Sequence, residues 1–249
     1  MPSHCLNGGG WILGNLIDGT QAERVRIPHA DYSLYAIPAG ADDVALVMLS
    51  DILPTGFECG VLRGCLKPGD TLAIVGAGPI GLATLLTAQF YAPAESILID
   101  VDENRLAWAK KLGATRTINN SDGLAAEKVL ALTGGRGVDV AVEAIGHAAS
   151  FDVCQAIVAP GGHLANIGVH GKPVQLNLDR LWSHNLTLTT QLVDATSTRR
   201  LLRAVSDGRL DPKQLITHHF VLDQMMQAYD TFAQAMAQQA LKVIISNLP

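Results

Sequence analysis

The sequence is short of charge and of thiols. Lys and Arg number 18 and Asp and Glu 23, together 16% of the 249 residues, with a net charge of −5 and no basic cluster. Such a chain offers no cationic surface to a nucleic acid. The four cysteines stand apart at positions 5, 59, 65 and 154, none in a C-x-x-C pair, and Cys59 and Cys65 would face different sides of a helix. That spacing reads as isolated, buried thiols in a reducing cytoplasm. Residues 1–10 (MPSHCLNGGG) have neither a basic n-region nor an apolar core and do not read as a signal peptide. The eight histidines, the pair His218-His219 included, lack a ligand spacing such as H-E-x-x-H and read as structural or exposed. There are no internal repeats and no low-complexity linker.

Apolar residues, by contrast, make up 48% of the chain, enough for a substantial core in one large domain or two unequal ones. They gather around residues 71–100, TLAIVGAGPIGLATLLTAQFYAPAESILID. Residues 71–75 form a short β-branched run suited to a strand buried on both faces. It enters Gly76-Ala77-Gly78-Pro79-Ile80-Gly81, the spacing G-x-G-x-x-G, and an uncharged Leu/Ala-rich segment then continues to Tyr91 as a helix under a sheet would. A second buried strand, 96–99, ends on Asp100, nineteen positions past Gly81. For a dinucleotide each part has a role. Gly76 permits the tight turn, Gly78 lets the backbone approach a pyrophosphate, and Gly81 lets helix and strand lie close. The helix N-terminus favours the phosphates, and Asp100 accepts from a ribose diol. Two other readings of the stretch exist. Residues 71–94 are uncharged and long enough to span a bilayer, although glycines and a proline interrupt them. A methyltransferase also carries a glycine loop and an acid on its first two strands.

The rest of the chain alternates strand and helix. Asp102 caps a helix over 103–112 that Gly113 ends, and a strand at 116–118, a helix at 124–132 and a strand at 138–143 follow. A helix at 150–158, a strand at 162–167 and a strand at 186–190 complete a doubly wound parallel sheet. Upstream, residues 21–27 and 33–37 read as strands with no second layer to pack on. Asp42/Asp43 caps a helix over 44–49 that Pro54 breaks or kinks before a second helical piece runs to about Leu62. Downstream come a helix at 196–206, a strand at 216–222, a helix capped by Asp223 and running to about Ala237, and a strand at 241–245.

These residues match a family. The segments GGGWILGNLIDGTQAERVRIPHAD (8–31), SDILPTGFECGV (50–61), the glycine unit, GGRGVDVAVEAIG (134–146), APGGHLANIGVHG (159–171) and ALKVII (240–245) resemble zinc-dependent alcohol dehydrogenases of the medium-chain dehydrogenase/reductase superfamily. The resemblance implies an α/β fold: a doubly wound (Rossmann) NAD-binding domain over 51–190, with an incomplete, mainly β (GroES-like) catalytic domain supplied by 1–50 and 191–249. It also implies that the chain lacks the family's N-terminal segment. Cys5 matches the last cysteine of a four-cysteine structural zinc lobe whose other three are absent, as are the catalytic Cys, the Ser or Thr that relays the proton, and the His-Glu pair.

By the same resemblance Asp51 matches the remaining protein ligand of the catalytic zinc, and a carboxylate suits zinc. Read from its neighbours alone, Asp51 is a helix cap or surface residue. Thr55 matches a residue contacting the nicotinamide, and Ile80 would pack behind its ring. Ile145, Gly168 and Val169 sit just past the fourth and fifth strands, where such sheets bind ligands; plain packing is the other reading of each. Arg105 is expected near the adenosine ribose and Lys242 near the pyrophosphate, and both equally suit solvated surface charges. Pro79, within the glycine turn, is counted with the cofactor-binding residues. The implied activity is NAD(H)-dependent interconversion of a small alcohol and an aldehyde or ketone, with zinc as the family's metal, in a cytoplasmic homo-oligomer with no nucleic-acid or membrane partner. The alternatives are a non-catalytic NAD(H)-binding remnant and, less in keeping with GVDVAVEAIG and GGHLANIG, a methyltransferase.

Overall fold

A computed structural model describes residues 2–5 and 10–247. The chain divides into two units, one continuous, Ser50–Ala195, and one assembled from Met1–Leu49 and Thr196–Pro249.

The continuous unit is built on six parallel strands: β1 (Thr71–Val75), β2 (Glu95–Asp100), β3 (Arg116–Asn119), β4 (Val138–Glu143), β5 (Val158–Asn166) and β6 (Thr187–Thr190). Their spatial order is β3-β2-β1-β4-β5-β6, so the winding reverses between β1 and β4. Helices α1 (Pro79–Ala88), α2 (Glu103–Lys111), α3 (Ala125–Leu132) and α4 (Ala148–Ile157) make the crossovers. The central strands β1, β2 and β4 are buried on both faces, and Val75, Ile97, Ile99, Val138, Phe151, Ile157 and Leu164 share one core cluster. Cys154 is part of that cluster, and burial pushes its thiol well above the ordinary range. Burial likewise pushes Cys59 up to about 12, with the neighbouring Glu58 adding to it, so both thiols are protonated and inert at neutral pH.

Why α1 carries no charge becomes clear from what lies on its outer side. Every residue from Gly81 to Ala88 is buried, as befits a helix apolar all round. A helix over Ile52–Thr55 continues as a π-helix over Gly56–Leu62 and lies against it. Side chains on Gly56 or Gly60 would leave no room for that approach: a Cβ would come within 2.6 Å of Thr84 N at Gly56 and 2.7 Å of Thr84 Cγ2 at Gly60. The wide winding shows in the bonds from Arg63 N to Glu58 O (3.1 Å) and Leu66 N to Val61 O (3.2 Å), each spanning five residues. Pro54 does not break this helix as the sequence suggests. The interruption falls at Asp51, with φ −151° and ψ −60°, and Pro54 stands in the first turn that follows, where a missing N–H has no partner to lose.

In the other unit, β7 (Ile216–Val221) and β8 (Lys242–Ser246) pair in parallel, and a helix over Met225–Ala233 joins them. Asp42 caps the helix Asp43–Leu46, its Oδ1 accepting from Val44 N (3.0 Å) and Ala45 N (3.3 Å). Lys213 Nζ lies 2.8 Å from Asp42 Oδ2, which lowers the carboxyl's pKa and raises the amine's. The strands expected at 21–27 and 33–37 are absent. A strand exists only as part of a ladder, and no described strand pairs with either segment. They are fastened by side chains instead: Tyr229 Oη bonds Gln21 Oε1, Asn247 Nδ2 donates to Ala22 O (3.3 Å), and Arg199 lies over the Tyr35 ring. Nor does Asp223 cap a helix to about Ala237: the helix is Met225–Ala233, with Gln224 at its N-cap, and a separate turn of helix covers Ala235–Gln238. Asp223 falls inside a 3-10 turn, Leu222–Gln224, where the Gln224 side chain accepts from the Val221 N–H.

Among the described residues no single helix is long and apolar enough to cross a membrane. Residues 71–94 divide instead into β1, the glycine turn, α1 and a 3-10 turn at Gln89–Tyr91.

Candidate dinucleotide site

The C-terminal ends of the strands bring the polar residues of the sheet into one row. Val75 is level with Ile99 and Glu143, Asp100 with Asn119, and Glu143 with Asn166. The glycine turn rises from the middle of this row, beside the point where the winding reverses. Gly76 takes φ +110°, a conformation glycine alone adopts without strain, and the Ile145 side chain lies over it, 2.6 Å from where a Cβ would stand. Gly81 is against the turn's own backbone: a Cβ there would be 1.8 Å from Gly76 O. Gly78 is the opposite case, because a Cβ on it would meet nothing nearer than Arg105 Nη1 at 3.9 Å. The space over Gly78 is open, Pro79 is the first residue of α1, and no side chain caps the helix N-terminus. A helix end of this kind presents free N–H groups and partial positive charge to an anion.

Asp100 is buried at the tip of β2 and tied to the turn. Its Oδ2 accepts from Ala77 N (2.7 Å), and its Oδ1 accepts from Val101 N (2.7 Å) and Asp102 N (3.0 Å). A carboxylate has about four acceptor positions, so one remains on Oδ2 for a hydroxyl. Arg105 Nη1 stands 4.0 Å from that oxygen, and its Nε stands 3.8 Å from Asp102 Oδ2. Asp102 in turn caps α2 through Asn104 N at 2.8 Å.

The structure therefore joins Gly76, Gly78, Gly81, Asp100, Arg105 and Ile145 in one run of contacts. Gly168 and Val169 extend it, since a Cβ on Gly146 would lie 2.4 Å from Val169 O and one on Gly168 would lie 2.1 Å from Gly146 N. Ile80 is half-buried in the first turn of α1. Asp51 and Thr55 form a separate pair, with Thr55 Oγ1 donating to Asp51 Oδ1 at 2.9 Å. Lys242 is in β8, within the other unit. A cleft of about 550 Å³ lined by Asp152, Gln155, Arg180 and His184 shares no residue with the run.

The open cradle over Gly78, the uncapped helix and the spare acceptor on Asp100 fit a dinucleotide. A zinc ion is not fitted in the same way. Asp51 is exposed and bonded to Thr55, Cys5 is exposed, and no group of three or more His, Cys, Asp or Glu among the described residues could hold a metal. One functional candidate escaped the sequence reading. Glu143 is fully buried at the tip of β4, and its signal was an acid directly after the apolar run Val140-Ala141-Val142, as Asp100 follows Ile97-Leu98-Ile99 in β2.

The model of a family described as zinc-binding dehydrogenase matches residues 79–207, just over half of the chain. This chain belongs to the zinc-binding dehydrogenase family. An alcohol dehydrogenase of Cupriavidus necator is 37% identical over 228 residues, 90% of this chain and 62% of the relative. An NADP-dependent isopropanol dehydrogenase of Thermoanaerobacter brockii is 33% identical over 87% of the chain and 64% of its own length. Among solved structures, the apo form of zinc dependent alcohol dehydrogenase 2 from Streptococcus pneumonia superposes with a TM-score of 0.94. It is 49% identical, over all of this chain and 70% of its own. This zinc-binding dehydrogenase chain thus spans less than two thirds of the length of the curated relatives it matches. The six-stranded sheet carries the dinucleotide-binding architecture that the resemblance implied.

Proposed function

We propose that this chain binds a pyridine dinucleotide and serves an oxidoreductase that interconverts a small alcohol with an aldehyde or ketone. The observation that carries the reading is the open, uncapped turn at Gly78, closed on one side by a buried acid on the neighbouring strand. The names of the relatives support the alcohol as substrate class. NAD(H), when bound, accepts or supplies a hydride. The chain's own residues do the holding. The first turn of α1 receives the pyrophosphate, Asp100 the ribose, and the loops after β4 and β5 carry Ile145 and Val169 beside the nicotinamide half.

The chemistry at the tip of β2 favours NAD(H) over NADP(H). A ribose hydroxyl can donate to Asp100 Oδ2, a charge-assisted bond of about 1.5–3 kcal/mol, whereas a 2′-phosphate would meet the carboxylate at contact distance. Val101 and Asp102, not arginine, follow it. Fluorescence titration should give a lower Kd for NADH than for NADPH, and S-adenosylmethionine should not compete. Asp100→Gly should narrow the NADH–NADPH gap. Equal constants for the two cofactors in the unaltered chain would refute the preference.

The metal-poor donor set favours a second reading, a dinucleotide-binding protein without turnover of its own. Alcohol-dependent NADH production separates the two. Self-association is part of either reading. β6 is an outer strand of the sheet, with Leu188 and Leu192 partly exposed and Trp182 77% exposed nearby. Such an edge recruits a second copy. Light scattering should give a mass of at least two chains, and a monodisperse monomer at high concentration would count against it.

A further inference from the structure

The buried carboxylate of Glu143 has no part in the reading above, yet two loops of the site rest on it. Its Oε1 accepts from Ile145 N (2.9 Å) and Gly146 N (2.9 Å), and Ser150 Oγ lies 2.6 Å away. On the other side, Oε2 is 3.1 Å from Gly146 N and 3.5 Å from His170 Nε2. His170 reaches Asn166 Oδ1 at 2.8 Å, and Asn166 Nδ2 donates to Gly168 O at 3.0 Å. Phe151 packs edge-on against the His170 ring. Gly168 sits so close that a Cβ would be 2.2 Å from Glu143 Oε2. One acid therefore fixes the turn after β4 from below and the turn after β5 from the side.

Those two turns hold Ile145, 54% exposed, and Val169, 90% exposed; the first is bonded to the buried carboxyl directly through Ile145 N and Gly146 N, the second is tied to it through His170 and Asn166. Large apolar side chains held rigid yet left bare provide a platform for a flat, partly apolar group. We propose that Glu143 is a positioning residue, which sets the loops bearing Ile145 and Val169 so that they support the nicotinamide half of the cofactor. The proposal rests on the dinucleotide reading. It separates the site into an adenosine–pyrophosphate half held by the glycine turn, Asp100 and Arg105, and a nicotinamide half whose geometry depends on Glu143.

ADP-ribose tests this separation, because it keeps the first half of the cofactor and lacks the nicotinamide. Glu143→Gln keeps one acceptor oxygen and puts an amide nitrogen, which can only donate, at the Oε2 position that faces Gly146 N and His170 Nε2. We expect NADH to bind about tenfold more weakly and ADP-ribose to stay within about twofold of the unaltered chain. Unchanged NADH affinity would overturn the proposal. So would a parallel loss for both ligands, which is what a merely structural role gives. Should Glu143→Gln not fold, Ser150→Ala and His170→Gln carry the test, each expected to cost about threefold for NADH alone. Parallel losses or none in that pair would overturn it equally. An unaltered chain that binds neither ligand would refute the dinucleotide reading itself, which is a different result.

Discussion

The Gly78→Ala protein should melt within about 2 °C of the unaltered chain and yet bind NADH at least about tenfold more weakly. Nothing in the folded chain opposes the added methyl. Gly78 has φ −72°, which alanine adopts freely, and the nearest atom to a Cβ is the mobile end of Arg105 at 3.9 Å. The methyl does, however, occupy the surface over which an anion must approach the first turn of α1. Gly81→Ala should behave in the opposite way. Its Cβ would stand 1.8 Å from Gly76 O and 3.3 Å from Ile74 Cγ2, both in the buried centre of the unit. Helix α1 would have to lift off β1, and overpacking of this kind costs about 1–3 kcal/mol or more. Melting temperature and NADH affinity should therefore fall together in Gly81→Ala and separate in Gly78→Ala. Unchanged NADH affinity in Gly78→Ala would mean that no phosphate lies over the turn.

Zinc in the purified chain should stay far below one atom per molecule, and Asp51→Ala should leave the content where it was. A catalytic zinc takes three protein ligands and an open position, and a structural zinc takes four. Asp51 offers one carboxylate, already accepting from Thr55, and no described cluster of three donors stands around it. Cys5 is exposed, and it too belongs to no described group of three or more donors. Metal analysis of protein purified without added zinc tests this. A content near one per chain that disappears in Asp51→Ala would establish that a complete site forms around Asp51.

The glycine unit was legible because its chemistry is local. A turn that needs φ > 0, a helix that needs a small residue against a strand, and an acid closing the next strand all leave their marks within thirty residues. The expected helices and strands from 103 to 206 appear in the structure for a similar reason, each being bounded by its own cap or turn. Pro54 was misread because a proline has opposite meanings at a helix's start and in its interior, and Asp51 interrupts the helix without a glycine or proline to announce it. Residues 21–27 and 33–37 have strand composition but no ladder, and a ladder depends on distant residues that a local pattern does not contain. Glu143 was passed over because a strand-ending acid looks the same whether it meets water or the four groups found here, Ile145 N, Gly146 N, Ser150 Oγ and His170 Nε2.

The division of the chain into a continuous unit and one assembled from two separated segments bears on how the protein is made. Ser50–Ala195 can complete its sheet as soon as it leaves the ribosome, whereas the partners of residues 21–35 include Tyr229, Asn247 and Arg199. At about 5–20 residues per second, that partnership is delayed on the order of ten seconds. Throughout that interval residues 21–35 stay open to proteases and chaperones. Translation speed between residues 35 and 247 should therefore govern yield more strongly than speed before residue 35.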